Sequence, residues 1–283
     1  MAWCNYHTHS TYCDGKEPME AVVAAAIEQG VVSLGFSSHG PLPFHRSWAM
    51  AGTRFDAYVE NIRQLKQQYG RQLEIYAGLE ADYVPGRVTP LDFAPRLDYV
   101  IGSVHMVDAF SNGDPWEIDG SQVLFESGVK QIFGGDVRMA VQRYFALTRE
   151  MLRQYTPDIL GHFDKIKMHN TTRPWFDESE DWYRSEIRTV LEEVKHAGCI
   201  VEVNTRGVYQ KKTAEPYPSW WILEEMLRMD IPITLNSDAH HPKDLTGHFS
   251  EIAAQLADIG YRRLHVLKAG EWLPIPFSAH GID

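Results

Sequence analysis

The chain has 283 residues, a formal net charge of −11 and a hydrophobic fraction of 44%. This composition is typical of a globular protein, and the length is sufficient for one large α/β domain or two smaller domains. The acidic balance, without a long run of Lys or Arg, disfavours tight binding to a nucleic-acid backbone. It does not disfavour small anions, because bound cations can reverse the sign of the local field.

The three cysteines and the apolar segments indicate in which cellular compartment the protein is found. Cys4, Cys13 and Cys199 are odd in number, widely spaced and without a CxxC motif, which disfavours a disulfide framework and predicts a reducing, cytoplasmic environment. The first residues do not combine a basic region with an apolar stretch, so we expect no signal peptide. We also expect no membrane-spanning segment, because no run of about 18 apolar residues is present.

Strand patterns and helix patterns alternate along the chain. The first strand pattern, at 2–7, precedes a helix pattern at 18–30, in which Pro18 suits the first turn and Gly30 suits the end. The later strand patterns lie at 31–39, 73–83, 99–105, 158–164, 199–207, 231–241 and 262–272, and the later helix patterns at 54–70, 140–155, 182–198, 220–229 and 244–260. Repeated strand–helix units predict a parallel sheet, and seven or eight such strands in this length favour a closed barrel.

The segment 107–136, "VDAFSNGDPWEIDGSQVLFESGVKQIFGGD", interrupts this alternation. It is rich in Gly and Asp and is too long for a simple connection. We interpret it as a lid-like insertion on a single barrel domain that comprises residues 1–283. Its aromatic residues Phe110, Trp116 and Phe125 could close over a bound ring, but packing of the insertion onto the barrel is the favoured role for any one of them.

Potential metal ligands stand at the carboxyl ends of the predicted strands. In "NYHTHSTYCDG", His7 and His9 are two residues apart on a strand and share a face, and Asp14 follows in the loop. Because all these strand ends meet at one face of a parallel barrel, we expect one site there. Its candidates are His7, His9, Asp14, His39, Glu80, His105, His162, Asp238 and His240. One ion does not need so many ligands, which indicates a multinuclear site, although any single histidine could instead be buried and hydrogen-bonded.

Seven motifs occur in order: "HTHSTYCDG", "SSHGPL", "GLEADY", "GSVHMVD", "GHFDKIK", "VEVNTRG" and "NSDAHH". Over nearly its whole length the chain therefore resembles the polymerase and histidinol phosphatase (PHP) superfamily. Within it, "WEIDGS", "GHFDKIKMHN" and "VEVNTRG" are similar to the histidinol-phosphate phosphatases of histidine biosynthesis. The resemblance implies a distorted (β/α)7 barrel with a metal site at the carboxyl ends of its strands. It also implies up to three divalent ions, with zinc favoured over manganese or iron.

The resemblance implies a ligand set for each ion. One ion would take His7, His9, Glu80 and Asp238; a second would take Glu80 as a bridge with His105 and His162; a third would take Asp14, His39 and His240. Two departures concern the third ion: some relatives carry histidine in place of Asp14, and the usual Ser-Asp-His is here Ser37, Ser38 and His39.

Clustered divalent ions suit phosphoester hydrolysis, because they lower the pKa of bound water and neutralise the charge of the phosphate. We predict attack of a metal-bound hydroxide on a phosphomonoester, and the resemblance implies L-histidinol phosphate, which would give L-histidinol and phosphate. The catalytic acid for the leaving alcohol is left open between Asp14, His240 and a metal-bound water. Arg206 is a substrate-binding candidate because it follows a strand directly, although it could also be a solvated loop arginine. Arg173 and His45 are weaker candidates.

Two other functions stay open at this point. One is a different phosphoesterase of the superfamily, such as an exonuclease or a nucleotide phosphatase, and the other is a non-catalytic metal-binding barrel. The acidic charge and the lack of a basic, aromatic track count against a nuclease, and the complete ligand set counts against the non-catalytic barrel. We expect a small phosphorylated substrate as partner, and neither nucleic acid nor a membrane; no oligomeric state is predicted.

Overall fold

The computed structural model describes residues 2–170 and 174–282. The strands are β1 (Trp3–Asn5), β2 (Val31–Phe36), β3 (Glu74–Ala77), β4 (Glu80–Asp82), β5 (Ile101–Ser103), β6 (Met106–Ala109), β7 (Pro115–Glu117), β8 (Ile159–Leu160), β9 (Ile200–Asn204), β10 (Ile233–Asn236), β11 (Arg263–Lys268), β12 (Glu271–Ser278) and β13 (Gly281–Ile282). The helices are α1 (Met19–Glu28), α2 (Phe55–Tyr69), α3 (Gln122–Ile132), α4 (Val137–Gln154), α5 (Asp181–Ala197), α6 (Arg206–Tyr209), α7 (Trp220–Arg228) and α8 (Phe249–Ile259). In these two ranges, no helix is both long and apolar enough to cross a membrane.

Two parallel sheets form the centre of the fold. One has the order β1-β2-β3 and the other β10-β9-β8-β5-β4. Isolated parallel bridges join Thr8 to Ala239 and His39 to Glu80, so the three-stranded sheet meets both edge strands of the five-stranded sheet, through the ends of β1 and β2. The fold is therefore α/β with parallel strands, as predicted, but among the described residues the strand pairing is divided between two sheets and is not one continuous ladder.

The predicted strand at 73–83 is two short strands, β3 and β4, which belong to different sheets. Gly78 lies between them, and its N–H donates to the carbonyl of Phe36 at 2.7 Å. A Cβ atom at this position would lie 2.1 Å from Cζ of Tyr99. Only glycine lets the chain pass so close to this buried ring, and the passage carries the chain from one sheet to the other.

The helices bury one face each against the sheets. In α5 the buried residues recur every three or four positions, the spacing of one helix face; they are Tyr183, Ile187, Val190, Leu191 and Val194. Side-chain caps begin two of the helices: Ser121 accepts from the N–H of Leu124 in α3, and Asp136 accepts from the N–H of Met139 in α4. The cap at Asp136 marks where the insertion ends and the regular fold resumes, whereas the cap at Ser121 begins a helix of the insertion itself.

The insertion at 107–136 consists of an antiparallel hairpin, formed by β6 and β7, and helix α3. Trp116 and Phe125 are fully buried, with their ring centroids 5.6 Å apart. Both rings belong to the main apolar core, and Phe125 lies 4.9 Å from the ring of His169 and 5.6 Å from that of Trp175, outside the insertion. They therefore pack the insertion onto the rest of the fold, which is the role that the sequence favoured for them. Phe110 is half-buried and also packs against the main core.

The last predicted strand, at 262–272, does not extend the parallel pattern. The strands β11, β12 and β13 form a separate antiparallel sheet. Its residues Val266, Leu267 and Trp272 pack onto an apolar cluster that includes the first residues of three parallel strands, Ile101, Ile159 and Ile200; Tyr6, Tyr76 and Tyr99 also belong to it. The C-terminal sheet therefore closes the end of the fold that lies away from the predicted ligands.

Candidate metal centre

The nine predicted ligands lie together at the carboxyl ends of the parallel strands. His7 and His9 follow β1, His39 follows β2, Glu80 begins β4, His105 follows β5, His162 follows β8, Asp238 and His240 follow β10, and Asp14 lies in the loop between β1 and α1. All are buried except Asp14 and His240, which are half-buried. The parallel topology brings the ligands that follow strands to one edge, and Glu80 reaches the same place as the first residue of β4, three residues after the end of β3.

Glu80 lies at the centre of this group and presents its two oxygens to different histidines. Its Oε2 atom is 3.2 Å from Nε2 of His7 and 3.7 Å from Nε2 of His9. The Oδ1 atom of Asp238 lies 3.8 Å and 3.1 Å from the same two nitrogens. Two histidines and two carboxylates thus point their ligand atoms at one position, which matches the set expected for the first ion.

The other oxygen of Glu80, Oε1, faces the second pair of histidines. It lies 2.7 Å from Nε2 of His162 and 3.5 Å from Nε2 of His105. A carboxylate with one oxygen on each side is the arrangement that a bridging ligand requires.

The third group surrounds Asp14. Its Oδ1 atom is 3.1 Å from Nε2 of His240 and 3.8 Å from Nε2 of His39. The ring of His9 stacks on that of His240 at 3.8 Å between centroids, so His9 stands between the first and third groups. His39 has a similar position, because its Nδ1 atom is 2.8 Å from Oε2 of Glu80.

Several of these buried atoms have no hydrogen-bond partner among the described residues. They are Nε2 of His7, Nε2 of His9, Oδ1 of Asp14, Nδ1 of His39, Oε2 of Glu80 and Oδ1 of Asp238. A buried polar atom without a partner costs about 1–3 kcal/mol, so a cluster of them that face one another indicates a cation between them. Imidazole nitrogens with carboxylate oxygens suit zinc and other first-row transition metals, and the residues present therefore fit a metal centre.

Two further carboxylates, which the sequence analysis did not select, orient the histidine rings. Oε1 of Glu202 is 2.6 Å from Nδ1 of His7, and Oδ1 of Asp82 is 2.8 Å from Nδ1 of His105. Each contact occupies Nδ1 and leaves Nε2 for a metal. A signal was available in the sequence, because Glu202 interrupts an apolar strand and Asp82 lies two residues after Glu80, on the same face of β4.

The charges in the cluster favour the protonation states that metal binding needs at Glu80, Asp238 and His9, but not at His7 and His105. Burial would lower the pKa of both of these rings, but Glu202 and Asp238 raise the pKa of His7 well above its ordinary value, and Asp82 and Asp119 raise the pKa of His105 to about 9. Each of these two rings would therefore release a proton when a metal binds. Burial opposes ionisation of Glu80, but His39 and His7 outweigh it and hold the pKa of that carboxyl well below its usual range. Burial likewise opposes ionisation of Asp238, and Arg206 and His7 hold its pKa well below its usual range. Burial, reinforced by His240 and His39, keeps the pKa of His9 well below its ordinary value. The carboxylates are thus ionised and His9 is neutral, as ligands must be.

A cavity of about 230 Å³ opens beside the cluster, and Asp14 and His240 are part of its wall. Arg206, at the start of α6, also lines it; its Nη1 atom is 2.7 Å from the carbonyl oxygen of Asp238 and 2.6 Å from Nδ1 of His240. The arginine therefore lies in the same cleft as the candidate ligands.

The other two substrate-binding candidates are not brought to this cavity. His45 is exposed and is not part of the lining, and its carbonyl accepts from Nη1 of Arg46. The loop after β2 carries its neighbour Trp48 to the cavity wall instead. Arg173 lies outside the described residues.

Four charged residues of the cavity wall were not selected from the sequence; they are Glu117, Asp119, Lys165 and Lys212. Lys165 lies in a short 3-10 helix (Lys165–Asn170), and its Nζ atom is 3.0 Å from Oδ2 of Asp119 and 3.4 Å from Nε2 of His105. Burial would lower the pKa of Lys165, but Asp119 and Asp238 raise it above its ordinary value. The ammonium group therefore stays charged beside the candidate ligands.

Comparison with protein-family models decides the family. The model of the PHP domain matches residues 5–206, which carry seven of the nine candidate ligands and Arg206. The chain belongs to the PHP domain family. This agrees with the resemblance in the sequence, and the two ligands beyond the match, Asp238 and His240, lie in the same cluster as the others.

Relatives within the PHP family are similar over most of their length. The chain is 28% identical to a probable histidinol-phosphatase of Deinococcus radiodurans, over 92% of this chain and 94% of that protein. It is 26% identical to a histidinol-phosphatase of Bacillus subtilis, over 84% of this chain and 94% of that protein. The solved structure of a histidinol phosphate phosphatase from Lactococcus lactis, in complex with zinc, L-histidinol and phosphate, has a TM-score of 0.68 and 21% identity, with full coverage of both chains. This last likeness shows that the PHP fold is shared.

Proposed function

We propose that this PHP protein is a metal-dependent phosphomonoester hydrolase that converts L-histidinol phosphate to L-histidinol and phosphate. The observation that carries the proposal is the buried cluster of histidine and carboxylate atoms without hydrogen-bond partners, which faces a cavity lined by Arg206 and Lys165. The names of the relatives from D. radiodurans and B. subtilis support the substrate, since the chain matches each over nearly its full length.

The proposal assigns up to three divalent ions to the cluster, with zinc favoured. The first would be held by His7, His9, Glu80 and Asp238, the second by Glu80, His105 and His162, and the third by Asp14, His39 and His240. His9 lies within reach of the third position, and His39 lies within reach of the second. When bound, such ions supply a water of lowered pKa and neutralise the charge of a phosphate.

The residues of the chain itself would bind and orient the substrate. Arg206 presents its guanidinium at the cavity wall, where paired N–H donors match phosphate oxygens. Where no ion occupies the third position, Asp14 and His240, with Oδ1 and Nε2 3.1 Å apart, could share a proton at the mouth of the cluster and deliver it to the leaving alcohol; where an ion is held by these two residues, water would have to supply that proton. Glu202 and Asp82 hold the rings of His7 and His105 in place during the reaction.

The proposal also includes the barrel. We take the two parallel sheets as one distorted (β/α)7 barrel, in which β3 and β4 together occupy one of seven positions. The bridges between Thr8 and Ala239 and between His39 and Glu80 support this arrangement, because they lie where the two sheets would have to meet. Residues 1–283 would then form one domain, with the insertion at its carboxyl face.

The test is phosphate release from L-histidinol phosphate compared with a panel of phosphomonoesters and a phosphodiester. We expect kcat/KM to be at least about 100-fold higher for L-histidinol phosphate, a discrimination of about 2.7 kcal/mol. His9→Ala, which removes a candidate ligand without a change in the cavity wall, should lose this activity together with bound metal. Equal, slow turnover of all monoesters would contradict the assignment of substrate, and a preference for the diester would favour a nuclease.

A further inference from the structure

The cavity wall beside the metal centre contains an ion pair that the proposed ligands do not require. Lys165 comes from the segment after β8, and Asp119 comes from the insertion, two residues after β7. Their charged atoms, Nζ and Oδ2, are 3.0 Å apart, and both residues line the cavity. The fold therefore brings one cation and one carboxylate from distant segments to the place where a substrate must enter.

Lys165 is positioned for an anion that lies against the second metal position. Its side chain is only 9% exposed, and Nζ is 3.4 Å from Nε2 of His105, the nitrogen that Asp82 leaves for a metal. Asp119 supplies one negative charge to this buried ammonium, and an anion between Nζ and an occupied metal position would supply a second. A phosphoryl oxygen supplies that charge and accepts a short, charge-assisted hydrogen bond from the ammonium.

Asp119 is the carboxylate of this wall that remains available to a second cation. Its ion pair with Lys165 uses Oδ2, and a carboxylate has acceptor sites on both oxygens, so a further donor can bind at Oδ1. Its neighbour Glu117 differs, because its Oε1 atom binds Nε of Arg46 and its Oε2 atom accepts from the indole N–H of Trp48 at 3.2 Å. The side chain of Asp119 is 24% exposed, against 15% for Glu117.

We propose that the Asp119–Lys165 pair selects phosphate monoesters that carry an ammonium group two carbons from the ester oxygen. Lys165 binds a phosphoryl oxygen, and Asp119 binds the ammonium group. The inference rests on the proposed function, since L-histidinol phosphate belongs to this class. A ligand with both charges suits this pair because the two complementary charges are already adjacent in the wall, and each group gains one new partner of opposite sign.

The experiment compares L-histidinol phosphate with its analogue without the amino group, 3-(imidazol-4-yl)propyl phosphate. For the wild type we expect kcat/KM to be at least about tenfold higher for the substrate with the amine. In Asp119→Asn, the ratio of the two kcat/KM values should fall to near one, mainly because KM rises for the substrate with the amine. Lys165→Met should lower kcat/KM for both substrates by a similar factor and should weaken inhibition by inorganic phosphate.

Glu117→Gln is the matched control, because Glu117 lies in the same wall and two residues from Asp119 but is engaged by Arg46 and Trp48. In Glu117→Gln, the ratio of the kcat/KM values for the two substrates should stay at the wild-type value. If Asp119→Asn alone does not fold, the double variant Asp119→Asn/Lys165→Met removes both charges together and should fold without the preference. The inference would be overturned if Asp119→Asn kept the wild-type preference in kcat/KM for the substrate with the amine, or if Glu117→Gln lost that preference.

The proposed function and this inference fail in different ways. A wild type that hydrolyses L-histidinol phosphate selectively but without preference for the amine would leave the function intact and refute the role of Asp119. A wild type that is inactive on L-histidinol phosphate would refute the function. In that case O-phosphoethanolamine against ethyl phosphate, with the same variants, tests the recognition of the amine separately.

Discussion

The carboxylates behind the ligating histidines decide which ring nitrogen faces the metal position. Asp82 is fully buried, and its contact of 2.8 Å with Nδ1 of His105 fixes both the tautomer and the rotation of the ring. Its charge also makes the imidazole a more basic ligand. Asp82 is not one of the proposed metal ligands, so we expect its replacement to change the affinity for the metal through the ring of His105.

We predict that Asp82→Asn lowers the affinity for zinc by about 10- to 100-fold, because asparagine can still accept a hydrogen bond but lacks the charge. Competition with a chromogenic chelator measures this directly. Glu60→Gln is the control, since Glu60 pairs with Arg63 on the exposed surface of α2 and should not change the affinity. Equal affinity in Asp82→Asn and in the wild type would show that the charge of Asp82 does not contribute to metal binding by His105.

The sequence reveals the candidate ligands better than it reveals the residues around them. His7, His39 and Asp238 could be selected because their positions at strand ends place them at one face in any parallel barrel. The contact of Lys165 with Asp119 depends on how the insertion folds back, which no periodicity in the chain encodes. His45 was selected by its position in a loop after a strand, yet that loop turns its side chain outward.

At the scale of elements, the insertion is held together by one close contact. Helix α3 packs against the hairpin so that Gly128 lies under the indole ring of Trp116, and the indole N–H donates to the carbonyl of Leu124 at 3.1 Å. A Cβ atom at Gly128 would lie 2.0 Å from the indole nitrogen. The ring is fully buried and cannot move aside without a shift of the helix.

Gly128→Ala should therefore destabilise the protein by about 1–3 kcal/mol, the usual cost of overpacking. In an open helix the same change would stabilise by about 1 kcal/mol, so the sign of the effect is diagnostic. Urea unfolding gives the difference in the free energy of unfolding. Gly52→Ala serves as the comparison, because the nearest atom to a Cβ there is 3.9 Å away and we expect little change. A more stable Gly128→Ala variant would contradict the packing described here.

Most helices and strands could be predicted from periodicity, but their partners could not. The apolar run at 73–83 reads as one strand, and only the ring of Tyr99 against Gly78 explains why it divides between two sheets. The segment 262–272 has the same alternating pattern as a parallel strand. It pairs with β12 in an antiparallel hairpin because the chain turns back at once through Ala269 and Gly270, both with positive φ. The residue pattern of a segment indicates that it forms a strand, but not with which strand it pairs.

For the molecule as a whole, the metal centre and the apolar cluster lie at opposite ends of the parallel strands. The centre concentrates carboxylates and histidines whose facing atoms have no hydrogen-bond partner among the described residues. Such a cluster destabilises the fold unless cations occupy it, so the stability of the protein should depend on metal concentration.

We predict that removal of metal with a chelator lowers the melting temperature and that added zinc restores it. Above the dissociation constant, each tenfold increase in free zinc should add about 1.4 kcal/mol per bound ion to the free energy of unfolding. Thermal unfolding at buffered zinc concentrations measures this slope. His9→Ala should show a smaller slope than the wild type. A melting temperature that is independent of zinc in the wild type would mean that the cluster binds no metal in the folded state.

The other end of the molecule should contribute to stability without affecting the reaction. Trp272 is half-buried, and its ring packs edge-on against Tyr6 at 5.0 Å and Tyr99 at 6.1 Å between centroids. Trp272→Ala should cost roughly 2 kcal/mol, less than the 3–5 kcal/mol of a fully buried aromatic residue. Tyr6 precedes the ligand His7, but its backbone is held independently, since its N–H donates to Oδ1 of Asn236 at 2.7 Å. We therefore expect the zinc affinity and kcat/KM of Trp272→Ala to stay within about twofold of the wild-type values. A large loss of either in the folded variant would mean that the C-terminal sheet helps to position the ligands.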